Sequence, residues 1–586
     1  MKLKKVIALL LASVMSVTIL AACGSNNTDT PSTPSAPVDT TAVGQVDESV
    51  VEEIQAGYTP WDFGPHNPVT ITMWTVTDME EPAPDNKIVA LLRDRLGVTI
   101  DMEVTTGDNH ETRIGTMLAG GQFPDIIGSP HNDALMTAGG ALLRLDDYLA
   151  TGNWPLLREH VEPYLRKLSY RGGEVPDGFY IFPNYNRWYG PQIQFINWGA
   201  PGFWIQKAVL EDAGFPNIDN ISLDDYFALI ENYAAKYPTI DGVPTVPFTF
   251  NWCQGREWSV TNNALQLQGG ANWGGAFPDL QTNIARIYIT DDYSYRWAKA
   301  LNELNAKGLL DPEAFTMTND QFQAKLATGA VLGFPAQRWM FGTGQDALQA
   351  EERWERTYVP LMPTFDGIPP HYATGEVMNI HQGYGISIDA DNPEMILDFF
   401  EIMMSEEWQK ILFWGIENED YLVNEDGLFY RTEEMRIEQD DVIWRASNRF
   451  RAFTDQLFKR EGLWPDGNGH AAGQQGIEFF AGLSEYDQMF LSAYGKTYWA
   501  QFLNDAFEMP PYYPIWQLHG MLSQDASLAN TQLDEVQYPF YTRLVLANPA
   551  DFDSIWQEFL DTVDLIDIDL YLSEINGFIQ DILANQ

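Results

Sequence analysis

The chain is poor in cysteine and in basic side chains, and its one extended apolar run near the N-terminus is short. It has 2 Cys in 586 residues, so stability must come from a large core rather than from disulfides. Lys and Arg total 34 against 82 Asp and Glu, and the formal net charge of −48 disfavours nucleic acid and anionic lipid surfaces as partners. The apolar run at 6–20 is too short to span a bilayer comfortably.

Recognisable catalytic and metal-binding motifs are also missing. The sequence has no phosphate loop, no strand-linked Gly-x-Gly-x-x-Gly, no Gly-x-Ser-x-Gly and no His-Glu-x-x-His. Acidic loops at 418–420 and 424–427 could hold calcium, but neither matches the twelve-residue calcium loop, so we predict no cofactor and no metal. No carboxylate pair stands out among the 82 acids, which leaves glycoside hydrolysis open.

The N-terminus has the pattern of a bacterial lipoprotein signal. Three lysines at positions 2, 4 and 5 precede the apolar run, which ends in Leu-Ala-Ala-Cys-Gly at 20–24, a sequence that resembles the lipobox. We therefore predict a signal peptide at 1–22, lipidation of Cys23 and a cell-membrane location facing outside, attached through the lipid only. An ordinary signal peptide with a chance cysteine is the alternative. The Ser-, Thr- and Pro-rich stretch that follows predicts a flexible tether over 23–57.

From residue 69 the pattern alternates between strands and helices. Alternating apolar residues predict strands at 69–74 and 98–104, with a helix between them that stops at Gly97. Further strands are expected at 125–127, 331–334, 358–361 and 385–388, and the tail at 551–583 is predicted to be helical. This order is typical of doubly wound α/β lobes, and the length requires more than one core.

Aromatic residues are abundant, with 19 Trp, 26 Tyr and 32 Phe. Most rings must belong to the core, but some tryptophans lie in polar loops rich in Gly and Asn. These are Trp188, Trp252, Trp258, Trp273 and Trp339. A flat ring beside amide and guanidinium donors suits a sugar, which has one apolar face and several hydroxyls. Packing is the default for any single ring, but for the set we expect two or more to line a cleft.

The order of several segments resembles a known family. They are 71–74, 118–127, 142–149, 204–210 through the helix at 223–226, 322–333 and 359–367, followed by 385–388. In this order the chain resembles extracellular solute-binding lipoproteins of bacterial ABC importers, of the carbohydrate type (family 1) related to maltodextrin-binding protein. The similarity covers about 69–405.

The resemblance implies a two-lobe periplasmic-binding-protein type II fold, also called a Venus flytrap, with hinge strands and a helical C-terminal extension. Lobe 1 is expected at 58–195 and 366–405, and lobe 2 with helical inserts at 196–365 and 406–586. The implied function is capture of an oligosaccharide by a monomer, without catalysis, and delivery to the ABC permease subunits.

The resemblance also implies a binding site. Trp74 stands at the end of the first strand, Trp339 matches a ligand-stacking tryptophan, and Ser129, His131 and Asn132 occupy the polar sugar-contact loop. The family's frequent Trp and Asp in that loop are replaced here by Ser129 and Asn132. Tyr498 and Trp499 are weaker candidates. The expected ligand-binding residues are therefore Trp74, Ser129, His131, Asn132, Trp188, Trp252, Trp258 and Trp339.

Three other functions remain open at this point. A peptide-binding importer subunit would have a similar length and anchor. A surface glycoside hydrolase would share the aromatic groove but would need an acid and a base about 5–10 Å apart. A passive adhesin would not close around a ligand.

Overall fold

The structure is a computed structural model. It describes residues 46–106, 110–130, 136–137, 139–170, 177–184, 187–189, 201–253, 255–375, 378, 382–505 and 507–584. The signal peptide, Cys23 and most of the predicted tether lie outside these residues. No helix of the described ranges is long and apolar enough to cross a membrane.

The strands, in chain order, are β1 Val69–Val76, β2 Val98–Thr105, β3 Ile126–Pro130, β4 Ile181–Pro183, β5 Trp188–Tyr189, β6 Pro201–Gln206, β7 Thr239–Ile240, β8 Val243–Pro244, β9 Val246–Phe248, β10 Ala276–Asp279, β11 Ile284–Ile287, β12 Val331–Gln337, β13 Tyr358–Leu361, β14 Gln382–Ile386, β15 Leu422–Val423, β16 Phe429–Tyr430 and β17 Glu461–Gly462.

The α-helices are α1 Glu48–Gly57, α2 Lys87–Leu96, α3 His110–Gly120, α4 Asp146–Ala150, α5 Pro155–Val161, α6 Leu165–Ser169, α7 Lys207–Asp212, α8 Leu223–Lys236, α9 Trp258–Thr261, α10 Asn263–Leu267, α11 Asp292–Ala306, α12 Asn319–Ala327, α13 Gly342–Ala350, α14 Pro393–Met404, α15 Glu406–Phe413, α16 Glu433–Asp440, α17 Val442–Asn448, α18 Arg451–Thr454, α19 Gly476–Ala481, α20 Glu485–Ala493, α21 Gln524–Leu546, α22 Phe552–Val563 and α23 Ile568–Ala584. Short 3-10 helices include Arg338–Met340, Trp499–Phe502 and Ile515–Met521.

A five-stranded sheet forms the first lobe, in the order β2-β1-β3-β14-β4. β1 is parallel to both β2 and β3, whereas β14 runs antiparallel to β3 and to β4. Helix α2 connects β1 to β2, buries Ile88 and Leu92, and ends at Gly97, whose φ of 68° favours glycine. The predicted strand–helix–strand start of the chain is therefore confirmed.

A second sheet has four strands in the order β13-β6-β12-β9. β6 is antiparallel to β12 and β13, and β9 is parallel to β12. Helix α8 packs on it: Ser222 accepts a hydrogen bond from Asp225 N as the N-cap, and the Tyr226 hydroxyl donates to Trp204 O at 2.8 Å. The chain thus builds one sheet, crosses to a second, and returns to the first through β14.

The region after α14 divides between the two sheets. Residues 412–462 contact the first sheet, since Tyr384 in β14 donates to Phe453 O at 2.6 Å and Gln456 donates to Val76 O at 3.4 Å. Glu80, just after β1, pairs with Arg445. These contacts favour the first lobe for this segment, whereas the expectation from the sequence places all of 406–586 in the second. Apolar spacing along a helix does not tell which sheet the helix covers.

The C-terminal helices belong with the second sheet. Helix α21 packs against α11, and α23 packs against β11, where Ala285 N donates to Asn576 Oδ1 at 2.7 Å. They also contact helix α6 from the first lobe's chain segment. Lys167 Nζ donates to Tyr513 O at 2.7 Å, and Arg166 pairs with Asp581 at 2.8 Å.

The last part of the predicted tether is a helix. Asp47 caps α1 by accepting from Ser49 N, and Ile54 is buried. Asp47 N donates to Asp147 Oδ1 at 2.8 Å, and the Gln55 side chain donates to Thr151 O at 3.0 Å. One capped amphipathic helix is enough to dock the segment on α4, although its composition predicts a solvated linker.

Candidate functional site

One cavity has a volume of about 740 Å³ and is bordered by elements of both sheets. The second sheet contributes Gln337 at the end of β12, and the first contributes Gln382 at the start of β14. The other walls come from α9, the loop before β10, β11, the 3-10 helix Ile515–Met521 and α21. We call this the aromatic cavity. Its size suits a small oligosaccharide.

Two tryptophans lie side by side on one wall of the aromatic cavity. The ring centroids of Trp258 and Trp339 are 6.4 Å apart, and the ring planes are inclined by 33°. Trp339 is 59% exposed, which is unusual for so large a ring. The Arg256 guanidinium lies 5.0 Å from the Trp339 ring centroid and holds one face by a cation–π contact.

Local structure explains why Trp339 points outward. β12 is an apolar strand that is buried from Val331 to Ala336, and the chain then turns into the 3-10 helix at 338–340. Met340 takes the inward position and is 1% exposed, which leaves Trp339 on the outside. Trp339 Nε1 donates to Gln337 Oε1 at 2.9 Å, so the orientation of the indole is set by a neighbour that also lines the cavity.

Trp258 is placed by the turn before α9. Gly255 has a φ of 79°, a left-handed conformation that favours glycine, and Trp258 Nε1 donates to its carbonyl oxygen at 3.0 Å. Opposite this turn, Gly275 allows close approach of the segment 515–521. A Cβ at Gly275 would lie 2.5 Å from the ring of His519 and 2.7 Å from the hydroxyl of Tyr571.

The remaining wall is rich in side-chain amides and hydroxyls. Asn262 accepts a hydrogen bond from Tyr288 and donates to Asn272 Oδ1 at 3.3 Å. The amides lining the cavity are Asn262, Asn272, Gln337, Gln382, Asn530 and Gln537. Amides can both donate and accept, as can sugar hydroxyls. A wall of this kind next to indole rings can bind a neutral polyhydroxylated ligand.

Burial disfavours the charged forms of two titratable groups in the cavity. It lowers the pKa of His519 to about 4, and the His519 ring lies 2.9 Å from the hydroxyl of Tyr571. Burial also raises the pKa of Asp534, which is hydrogen-bonded to Tyr538, and the negative charge of Glu257 raises it further. Among the described lining residues Asp534 is the one carboxylate.

The part of the chain described here holds no group of three His, Cys, Asp or Glu arranged for a metal ion.

Of the predicted site residues, the structure brings Trp258 and Trp339 together. Trp74 is fully buried, packs against Ile127 and donates from Nε1 to Thr105 Oγ1 at 2.9 Å. Trp188 is 6% exposed, in the strand that pairs with β17. Neither ring lines the aromatic cavity. From Met73 to Thr75 both faces of β1 are covered, so the Trp74 ring is buried in the core.

Trp252 lies one layer behind the cavity. Its ring stacks on Tyr541 with a centroid distance of 5.7 Å and meets Tyr538 edge-on at 5.8 Å. Trp273 is likewise buried, against Tyr512 and Tyr513. We therefore leave Trp74, Trp188 and Trp252 out of the proposed binding site.

The other predicted positions have different outcomes. Ser129 lies in β3, where its backbone pairs with Gly383. His131 and Asn132 lie outside the described residues. Trp499 is 4% exposed, beneath the ammonium of Lys207, and does not line the cavity.

Several cavity residues carry no local signal in the sequence. Asn530, Leu533, Asp534, Gln537 and Tyr538 share α21, and no motif in the sequence of that helix marks them as ligand-binding residues. The aromatic and proline-rich stretch at 510–514 just before Trp516 is a signal in the sequence that could have drawn attention to this ring.

Comparison with known proteins shows the fold. No protein-family model matches the chain, and no curated protein does. Among solved structures, an HMO-binding solute-binding protein associated with an ABC transporter of Bifidobacterium longum infantis superposes with a TM-score of 0.63. It is 15% identical, and the match covers 89% of this chain and 100% of that one.

Two further structures come from Streptococcus pneumoniae. The ABC-transporter substrate-binding protein FusA, solved with kestose, has a TM-score of 0.59 at 14% identity, and the match covers 88% of this chain and 100% of FusA. The N-glycan transport solute-binding protein NgtS has a TM-score of 0.54 at 13% identity, covering 89% of this chain and 100% of its own. The chain therefore has the two-domain α/β fold of extracellular solute-binding proteins of ABC transporters, with a helical C-terminal stretch. The resemblance expected from the sequence is confirmed at the level of the fold.

Proposed function

We propose that this protein is the extracytoplasmic solute-binding subunit of an ABC importer, and that it captures an oligosaccharide in the aromatic cavity and delivers it unaltered to the permease. The observation that carries this proposal is the pair Trp258 and Trp339 beside an amide-rich wall, in a cavity bordered by both sheets. The similar solved proteins include one that holds kestose and one named for N-glycan transport, which supports a carbohydrate ligand.

The aromatic cavity can supply enough binding free energy to capture a sugar. A micromolar dissociation constant corresponds to about −8 kcal/mol. Stacking on two indoles and hydrogen bonds to several amides can supply that, since large aromatic anchors dominate such sites. The net charge of −48 favours a neutral ligand over an anionic one in this cavity. Because Gln382 belongs to the first sheet and Gln337 to the second, a bound ligand would favour the state in which both sheets reach it.

Capture is favoured over hydrolysis. A glycoside hydrolase needs two carboxylates across the bound bond, and the described lining residues provide Asp534 alone. Its pKa is raised by burial and by Glu257, whose carboxylate does not line the cavity. We infer that the carboxylate of Asp534 accepts a hydrogen bond from the bound ligand and does not take part in cleaving a glycosidic bond.

A binding screen tests this function directly. The protein is titrated calorimetrically with neutral oligosaccharides of increasing length and with peptides of similar mass, and the ligand is then recovered and weighed by mass spectrometry. Micromolar binding of a glycan recovered intact supports the proposal. Binding of peptides alone, or recovery of shortened glycans, would show a different function.

We also propose that Cys23 carries the lipid that holds the protein on the outer face of the cell membrane. The chain offers its own control, because its second cysteine, Cys253, lies partly buried in the folded part. A fatty-acid label supplied to the cells should attach to the unaltered protein and to Cys253→Ala, whereas Cys23→Ala should carry no label. Equal labelling of the Cys23→Ala protein would remove the lipid from the proposal. A single species on size-exclusion chromatography near the chain mass of 66.3 kDa would agree with a monomer.

A further inference from the structure

A second cavity lies beside the first sheet and has a volume of about 520 Å³. Its walls come from Met79 after β1, the end of α15, the segment from α16 to Lys459, and residues 471–473. Among the described residues, none lines both this cavity and the aromatic cavity. We call it the basic cavity, because five cationic side chains line it against the two carboxylates of Asp440 and Asp455. The five are Arg431, Arg445, Arg449, Arg451 and Lys459.

This concentration of cations runs against the composition of the chain. With 34 Lys and Arg against 82 Asp and Glu, most of the molecular surface repels anions. Five of those 34 basic residues nevertheless line this one cavity. Their contacts decide how much of this positive charge has a structural role.

Ion pairs with a direct hydrogen bond account for three of the five charges. Arg445 and Arg451 share the carboxylate of Glu80, at 2.9 and 3.0 Å. Arg431 donates to Glu478 at 2.7 Å, and Glu478 is 1% exposed. These three arginines hold the walls together.

Arg449 is different, because one of its donors is unused. Its Nη2 donates to Trp414 O at 3.0 Å and to Gln439 Oε1 at 3.1 Å. Its Nη1 is buried without a hydrogen-bond partner, and the nearest carboxylate oxygen, Oδ2 of Asp420, lies 3.7 Å away. A gap of that length is too long for a hydrogen bond.

Asp420 balances part of the Arg449 charge from 3.7 Å, and its oxygens accept hydrogen bonds from other donors. Lys87 Nζ lies 2.7 Å from both of its carboxylate oxygens, and Ile416 N donates to Oδ2 at 2.7 Å. The guanidinium of Arg449 thus lines the basic cavity with its charge balanced only in part, and a buried charge of this kind favours a further anionic partner. Burial lowers the pKa of Arg449 to about 10, so it stays charged at neutral pH.

Lys459 adds a second positive charge that can bind an anion in the basic cavity. Its ammonium donates to the backbone carbonyl of Asp455 at 3.3 Å, and within the described ranges it makes no ion pair with a carboxylate. Aromatic side chains complete the site: Trp444 lies over the Arg449 guanidinium at 4.9 Å, and Trp414 and Phe413 line the wall. The cavity thus offers available positive charge next to apolar rings.

We propose that the basic cavity binds the oxyanion group of a small organic ligand, either a carboxylate or a phosphate, with Arg449 and Lys459 as the donors. Charge-assisted hydrogen bonds from a guanidinium suit both groups, and the indole faces can cover the organic part. The site would let one protein respond to an anionic solute as well as to the neutral ligand of the aromatic cavity.

Titration with simple anions tests the site even though the physiological ligand is unidentified. Calorimetry and thermal unfolding are measured with inorganic phosphate, with glucuronate and with glucose, each against sodium chloride at equal ionic strength. Saturable binding of phosphate or of glucuronate, but not of glucose, supports the proposal and distinguishes a phosphate from a carboxylate ligand. Equal effects of all these solutes and of chloride would overturn it.

Variants then locate the binding. Arg449→Gln should weaken the anion that binds by roughly tenfold or more, and Lys459→Gln should weaken it several-fold. Lys459 makes no ion pair in the described part of the chain, so its variant tests the site even if Arg449→Gln folds poorly. The matched control is Arg95→Gln, which removes the same charge from an exposed pair with Glu407. Equal affinity of Lys459→Gln and the control would contradict the proposal, and so would loss of anion binding in Trp339→Ala, which would place the anion in the aromatic cavity.

Discussion

Lys207 and Asp487 form an ion pair inside the protein although they are 280 residues apart in sequence. Their side chains are 2% and 3% exposed. Lys207 begins the helix after β6, and Asp487 lies in the first turn of α20. The Lys207 ammonium also donates to Thr357 Oγ1 at 2.7 Å and lies 4.1 Å above the ring of Trp499. The pair therefore fastens the C-terminal region to the second sheet.

Breaking this pair on one side should be costly. Asp487→Asn leaves a buried ammonium without its counter-charge, and we expect a loss of about 3–5 kcal/mol in the free energy of unfolding. Replacing both residues, as in Lys207→Met with Asp487→Leu, should cost less than the sum of the single changes, because no charge is then left buried. Urea unfolding of the unaltered protein, Lys207→Met, Asp487→Leu and the double variant measures the coupling, and strictly additive losses would show that the two charges do not interact.

Trp339→Ala should weaken glycan binding by about 1–3 kcal/mol, because the exposed ring is the stacking surface of the aromatic cavity. The unfolding temperature should change little, since the ring is 59% exposed. Calorimetry with the best glycan from the screen measures the loss. Ile443→Ala, at a position that is 73% exposed and outside the cavity, is the control and should bind as the unaltered protein does. Unchanged affinity of the Trp339 variant would remove this ring from the site.

Trp74→Ala should instead destabilise the fold, by about 3–5 kcal/mol, because it empties a fully buried position. Trp74→Phe should cost less, since it fills most of the space and loses the hydrogen bond to Thr105. Denaturant unfolding measures both, and glycan affinity at a temperature where the variants are folded should be unchanged. A loss of affinity without loss of stability would mean that Trp74 contacts the ligand.

Stability should fall as the pH drops from 7 to 5, in part through His470. Burial lowers its pKa from 6.5 to about 3, and its ring lies 3.1 Å from Gln409 Oε1. In this window the unfolded chain takes up a proton at this site that the folded protein does not, so acid favours unfolding. The stability is fully present above pH 6.5 and is lost as the pH falls toward 3.

His470→Gln removes that proton uptake. The difference in unfolding free energy between pH 7 and pH 5 should shrink by up to about 2 kcal/mol compared with the unaltered protein. Urea unfolding at the two pH values measures it, and an identical pH dependence in both proteins would show that His470 titrates alike when folded and unfolded. Burial also lowers the pKa of His160 to about 3, so a residual dependence of the same sign should remain.

The comparison of Trp74 with Trp339 shows what the sequence could predict and what it could not. Both follow apolar residues of a strand, and the sequence predicts both at a ligand. The residues on either side of Trp74 are also buried, because both faces of β1 are covered at this point, whereas the chain turns at Gln337 and leaves Trp339 outside. The sequence predicts the strand in each case. The segments that cover the last residues of each strand, however, are distant in the chain.

The sequence by itself determined the α/β alternation and the acidic character, because periodicity and charge are local properties, and the two lobes were implied by the family resemblance. The tertiary structure alone decided which rings share a cavity, since α21 brings Asp534 and Tyr538 to a wall formed some 200 residues earlier. It also decided that the segment after α15 covers the first sheet, where it encloses the charge of Arg449. A helical pattern records which face is apolar, but the neighbour that this face meets depends on the packing of the whole chain.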